Sequence, residues 1–211
     1  MNDPHAHLPV ETAGAPLGEG RGAAILIHGR GASAHNILDL VPAIALPSFT
    51  YLAPSAADRT WYPFSFMHAI EQNEPKLSSA LARIHTLIEE AVNAGVPADR
   101  IVLIGFSQGA CLAGEYAVRH AQRYGGVAML SGGLIGPPGT RWPEAGGFAG
   151  TPVFLGCSDR DPHIPLARVH ESTAVFSRMG AAVTERIYPD MGHLVSAEEV
   201  SEVRNILDAI R

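Results

Sequence analysis

Ser107 lies in Gly105-Phe106-Ser107-Gln108-Gly109-Ala110, directly after the apolar run 101–105 (IVLIG) and before a helical pattern through Leu112, Ala113, Tyr116 and Ala117. A sharp strand-to-helix turn of this kind strains the serine backbone. Glycines two residues before and two after it are required because a Cβ at either place would clash. The hydroxyl then stands above the C-terminal edge of a sheet, and the helix N-terminus aims free N–H groups at a developing negative charge. This is how a serine is presented for nucleophilic attack on an acyl carbon; the bland reading is a glycine-rich turn.

A serine hydroxyl is a weak nucleophile at neutral pH and needs a base, which on a strand–turn–helix scaffold follows in the order serine, acid, histidine. Of ten histidines, His163, His170 and His193 follow a plausible acid, and His193 (in PDMGHLVSAEE) falls between the last strand and the last helix. His193 is the expected base. His5, His7, His68, His85, His120 and His170 read as core or surface residues; His163, close to the acid, is less settled. The segment GCSDRDPHIP offers Asp159 and Asp161, and Pro162 favours Asp161 by stiffening the turn that must hold its carboxylate. Asp190 sits three residues before His193, too near for easy geometry.

The oxyanion formed on attack needs two backbone N–H donors, one just after the nucleophile and one from the loop after the 23–28 strand. Those are Gln108 and, in HGRGASA, Arg30, flanked by Gly29 and Gly31. The Arg30 side chain is either solvated or ion-paired, with Glu71 or Glu74 as partner.

The elements that must position these residues are legible as alternation. Short apolar runs at 23–28, 49–53, 101–105, 126–131 and 152–156 read as strands buried on both faces, and 183–188 (VTERIY) as a half-exposed edge strand. Between them, Leu77, Leu81, Ile84, Leu87, Ile88 and Ala91 form one stripe of a helix over Pro75 to Ala94, stopped by Gly95 and Pro97. The last helix opens with a capping box, Ser196 and Glu199, and turns Val200, Val203, Leu207 and Ile210 inward. A mainly parallel sheet with helices on both faces follows, as one domain over 23–211. Residues 1–22 read as a loosely held arm with room for a short edge strand near Leu8 to Val10.

The whole chain narrows the function classes. In 211 residues, 15 Lys and Arg against 21 Asp and Glu give a net charge of −6, which argues against nucleic acid as a partner. No run is long enough to span a bilayer and no leader pattern opens the chain, so a cytoplasmic protein is expected. Two cysteines, Cys111 and Cys157, lie in apolar surroundings without CxxC spacing and read as buried thiols. His28 and His35 are the closest pair that could suggest a metal, seven apart with no HExxH spacing. No nucleotide fingerprint accompanies Gly29-Arg30-Gly31.

With HGRG, GFSQGA, DPHIP and MGH in this order, the chain from about residue 22 to its end resembles the phospholipase/carboxylesterase family of α/β-hydrolases, which includes the acyl-protein thioesterases. The resemblance implies an α/β-hydrolase fold without metal or cofactor, acting on carboxylic esters or thioesters. Ser107, Asp161 and His193 would be its triad, and Arg30 and Gln108 its oxyanion donors; the DP-x-(V/I)-P element of the family aligns on Asp161. Arg59 to Met67 (RTWYPFSFM) and Arg30 depart from the thioesterase branch, so an acyl-protein substrate does not carry over. The TWYP and NEP elements resemble instead a bacterial, esterase-like subgroup. A serine carboxylesterase is therefore expected, with a thioesterase or a non-catalytic ligand-binding relative as alternatives.

The segment from Ser131 to Thr151, rich in Gly and Pro, is too short and irregular for a large helical lid. Trp61, Tyr62, Phe64, Phe66, Leu134 and Ile135 are the expected walls of an open site, with core packing the alternative for some. Small-molecule esters or thioesters with short to medium acyl groups are the expected partners, and a homodimer is left open.

Overall fold

The computed structural model describes residues 3–211. Each apolar run is a strand, and two edge strands join them: β1 Val10–Gly14, β2 Gly22–Ile27, β3 Phe49–Pro54, β4 Ile101–Phe106, β5 Gly126–Leu130, β6 Pro152–Ser158 and β7 Ala182–Tyr188. They form one sheet in the order β1-β3-β2-β4-β5-β6-β7, parallel except for β1, which runs antiparallel to β3. β2 through β5 are buried on both faces, because helices cover each side. β7, an edge strand, is only half-buried, which explains its alternating sequence.

Helices α1 Ala34–Leu38, α2 Val41–Ile44, α3 Lys76–Asn93, α4 Gln108–Arg119, α5 Leu166–Arg178 and α6 Ala197–Asp208 complete the fold. Successive residues of β2 point to opposite layers. Ile25 and Ile27 pack with α3 to α5, whereas Ala24 and Leu26 pack with α1, α2 and α6. The expected stripe of α3 is buried throughout, and Gly95 ends the helix at φ +93°, where a Cβ is disfavoured. In α6 the Ser196 hydroxyl accepts from the Glu199 N–H while the Glu199 carboxylate accepts from the Ser196 N–H, so the capping box forms in full. Register aligns Ile27 with Gly105, Phe106 with Leu130, and Leu130 with Gly156. The loops after β2, β4, β6 and β7 therefore open along one edge of the sheet.

Residues 3–22 of the expected arm are held more firmly than their composition implies, and residues 1 and 2 lie outside the described residues. The edge strand begins at Val10 rather than ending there, and pairs Val10 to Gly14 with Pro54 to Thr50. His5 upstream is fully buried. Its Nδ1 accepts from the Ala57 N–H, so Nε2 carries the proton toward the Trp61 carbonyl, and its own N–H reaches the Ser79 hydroxyl. His28, also buried, accepts at Nε2 from the Ala56 N–H. Burial is the main cause pushing the pKa of both imidazoles down. A histidine kept neutral by the fold binds its proton only on unfolding, so stability is present above the ordinary imidazole range and falls as pH drops through it. Thermal melts should show Tm declining from pH 7.5 to pH 5. His5→Asn should lower Tm at pH 7.5 yet flatten that decline, since one proton of linkage is worth at most about 1.4 kcal/mol per pH unit. An unchanged slope in the variant would remove His5 from the linkage.

Candidate active site

Ser107 occupies φ 56°, ψ −119°, a conformation that only a tightly determined turn maintains in a residue with a side chain. The glycines explain how. A Cβ on Gly105 would lie 2.2 Å from the Gly109 carbonyl oxygen, and one on Gly109 would lie 2.0 Å from that of Ile27. β4 and α4 can thus meet at this angle, and pack against β2, only with hydrogen at both places. The turn leaves Ser107 partly open above the sheet edge, where its Oγ lies 2.8 Å from His193 Nε2.

His193 arrives on the loop between β7 and α6, and its Nδ1 lies 2.6 Å from Asp161 Oδ2. The Asp161 side chain is completely buried, whereas that of His193 keeps 18% of its surface exposed. Burial raises the Asp161 pKa, but hydrogen bonds from His193 and from the His163 and Ile164 N–H groups (2.8 and 3.0 Å to Oδ1) outweigh it and hold the carboxyl below its ordinary range. Cys157 Sγ, 3.9 Å away, offers a weak further donor to Oδ2. Asp159 serves the turn instead, accepting the Asp190 N–H at 2.9 Å, and Asp190 pairs with Arg160 at 2.8 Å. His163 meets the His193 ring edge-on at 4.8 Å between centroids, and Phe106 packs on it at 5.0 Å.

The Gln108 N–H is the first of α4, and among the described residues no protein group accepts from it or from the Arg30 N–H. Gly29 lets the Arg30 backbone come close to Ser107: a Cβ there would sit 3.3 Å from the Ser107 Cβ. No group of three or more His, Cys, Asp or Glu side chains able to hold a metal occurs among the described residues.

The model of the phospholipase/carboxylesterase family matches residues 13–211. The chain belongs to that family. It is 39% identical to a phospholipase/carboxylesterase from Dyadobacter fermentans whose crystal structure superposes at TM-score 0.90, covering 98% of this chain and 100% of that one. It shares 29% identity over 143 residues with Acyl-protein thioesterase 1 of Neurospora crassa, covering 66% of this chain and 58% of the relative. The match to the Gibberella zeae protein of the same name covers 53% of it, so the chain spans little more than half the length of these curated relatives. SOBER1 of Arabidopsis thaliana, 20% identical, shares the fold at TM-score 0.73 over 89% of this chain and 97% of its own.

In this phospholipase/carboxylesterase family member the cleft beside Ser107 measures about 490 Å³. Tyr62, Phe64 and Phe66 line it, together with Phe106 and Ile164, which the sequence does not mark as walls, and Cys111, read there as a buried thiol. Ile164 could have been found from its place beside Asp161, since any loop that brings Asp161 to His193 brings its neighbours along.

Three expected wall residues lie elsewhere. Trp61 is fully buried, its ring near those of His5 and His28 and its Nε1 donating to the His28 carbonyl at 2.8 Å. Leu134 and Ile135 are drawn into the core because buried polar groups capture their backbone. The Ser172 hydroxyl accepts from Leu134 N–H, Glu115 accepts from Ile135 N–H, and Arg168 donates to the Leu134 and Gly136 carbonyls. The segment after β5 is thereby tied to α4 and α5 and forms no lid. Burial pushes the Cys111 and Cys157 thiols up to about 12, so both stay protonated.

Arg30 is exposed, as the first of its two expected courses had it, and the expected ion pair with Glu71 or Glu74 does not form. It bonds to no carboxylate among the described residues and grips residues 60–64 instead, through the Thr60 hydroxyl and the Tyr62, Pro63 and Phe64 carbonyls. Glu74 turns to Ser78. No helix of the described residues is long and apolar enough to cross a membrane.

Proposed function

We propose that this protein is a serine carboxylesterase that hydrolyses short to medium acyl esters through an acyl-enzyme intermediate, with Ser107, His193 and Asp161 as its triad. The observation that carries the reading is the unbroken contact Asp161–His193–Ser107, at 2.6 and 2.8 Å, made at a strained elbow beside an apolar cleft. His193 Nε2 takes the Ser107 proton as Oγ attacks the ester carbonyl. The oxyanion is held by the Arg30 and Gln108 N–H groups, and His193⁺ returns the proton to the departing alcohol. Water then repeats the sequence on the acyl-enzyme, releasing the carboxylic acid and restoring the Ser107 hydroxyl. Thioester cleavage is the second reading, favoured by the likeness to Acyl-protein thioesterase 1.

Tyr62, Phe64, Phe66, Phe106 and Ile164 would receive the acyl chain. Each buried methylene should add about 0.8 kcal/mol, roughly fourfold in kcat/KM, until the chain leaves the cleft. With p-nitrophenyl esters, kcat/KM should rise and then level within about two to eight carbons, and emulsified triglyceride should bring no jump in rate. A rise continuing to sixteen carbons would mean a longer acyl channel. Matched oxygen esters and thioesters, compared by kcat/KM, decide between the two readings.

A further inference from the structure

The two expected oxyanion donors would act through backbone N–H groups, which leaves both side chains free for other work. Both converge on one short segment. Arg30 Nη1 donates to Thr60 Oγ1 at 3.0 Å and to the Pro63 carbonyl at 2.8 Å, while Nη2 donates to the carbonyls of Tyr62 at 2.9 Å and Phe64 at 2.8 Å. Gln108 Oε1 accepts from the Trp61 N–H at 2.9 Å, and its Nε2 donates to the Tyr62 carbonyl at 2.8 Å. The Thr60 hydroxyl links the two, accepting from Arg30 and donating to Gln108 Oε1 at 3.4 Å. The backbones are clasped too, since the Gly31 N–H donates to the Arg59 carbonyl at 2.8 Å.

All four acceptors of the guanidinium are neutral, so it is the planar fork, more than the charge, that this arrangement uses. The same loop is also turned by the Ala32 N–H donating to the Gly29 carbonyl at 3.1 Å and held by Arg59 Nε donating to the Ala32 carbonyl at 3.2 Å, while a Cβ on Gly31, at φ +77°, would meet no atom within 4 Å. The gripped segment is itself anchored on its far side by buried Asn73, which accepts the Phe64 N–H at 2.9 Å and donates to the Ser65 carbonyl at 3.1 Å. Tyr62, Pro63 and Phe64 of the same segment line the cleft.

We infer that the side chains of Arg30, Thr60 and Gln108 are positioning residues that lock the two oxyanion donors to the acyl-binding wall, so that donor orientation and wall placement are set together. The inference rests on the esterase reading and adds to it: the N–H groups touch substrate, and these side chains act only by aiming them. A misdirected peptide would cost transition-state stabilisation while leaving ground-state binding nearly intact, because the donors are aimed at charge that develops during attack.

The test is a set of variants in the full chain, read by steady-state kinetics on a soluble p-nitrophenyl ester and by the Ki of a phenylboronic acid, whose serine adduct places an oxygen in the oxyanion position. Arg30→Met should lower kcat about 10- to 100-fold with KM changed less than about threefold, and the boronic acid Ki should rise in step. Arg30→Lys keeps the charge but not the fork and should fall at least tenfold; full activity in Arg30→Lys would assign the effect to charge and overturn the inference. Should Arg30→Met fail to fold, Thr60→Val carries the test. It should lose several-fold in kcat with boronate affinity, and Thr60→Ser should restore both. Wild-type kcat in folded Arg30→Met or Thr60→Val, or a loss confined to KM, would also overturn it. Ser107→Ala run alongside separates the two claims: if that variant still turns over, the esterase mechanism fails, whereas an inactive Ser107→Ala with a fully active Arg30→Met refutes only the positioning role.

Discussion

Ser107→Ala is expected to lower kcat by about 10⁶ and to abolish labelling by a fluorophosphonate, which should modify Ser107 alone in the parent protein. The size follows if the proposed triad acts as a unit. Without Oγ, His193 has no proton to take and no acyl-enzyme can form, leaving only the oxyanion donors and binding to assist water. The substitution is well suited to the site. Alanine keeps the Cβ that the turn already accommodates at φ 56°, and the strain at this position is carried by the backbone and the two glycines rather than by the hydroxyl. Circular dichroism and Tm should therefore stay close to those of the parent. A folded Ser107→Ala protein that still turns over p-nitrophenyl esters at more than about one percent of the parental rate would remove Ser107 from the mechanism.

What could be read in the sequence was what depends on near neighbours. Strands buried on both faces must be apolar at every position, so 101–105 and 152–156 stand out as runs, and the elbow announces itself because two glycines and a serine must sit at fixed offsets between strand and helix. β1 lies later than the expected Leu8 to Val10 because an edge strand with one neighbour needs no apolar pattern, and VETAG has none. Contacts between distant segments were harder. Trp61 is core because His5 and His28, 56 and 33 residues away, pack on it and bond to its neighbourhood, and nothing local encodes that. Leu134 and Ile135 looked like wall residues because they are apolar beside the site; the backbone capture by Glu115, Arg168 and Ser172 that buries them comes from α4 and α5. For the Arg30 side chain the sequence offers solvation or an acidic partner; it is exposed, and its backbone partners are carbonyls, which every residue carries and no sequence reveals.

Asp161→Asn should lower kcat by about 10⁴, nearly as damaging as loss of the base, although it alters a single buried atom. Asp161 Oδ1 is committed to two backbone donors, the His163 and Ile164 N–H groups, and Oδ2 alone faces His193 Nδ1. An asparagine must keep its oxygen toward those two donors, which turns its NH₂ toward His193. Nδ1 would then accept rather than donate, so the proton moves to Nε2, the atom that must be bare to receive the Ser107 proton. Binding should survive, so the loss should fall on kcat with little change in KM. Stability should respond in acid. The carboxyl is held below its ordinary pKa, so its contribution is present above the unfolded carboxylate range and is lost as pH falls through the folded value; the asparagine variant should melt with a shallower acid-side decline. Asp159→Asn is the control, because its Oδ1 accepts only the Asp190 N–H, which an amide oxygen can replace; its rate should stay within about threefold of the parent. A larger kcat loss in Asp159→Asn than in Asp161→Asn would reverse the assignment of the acid.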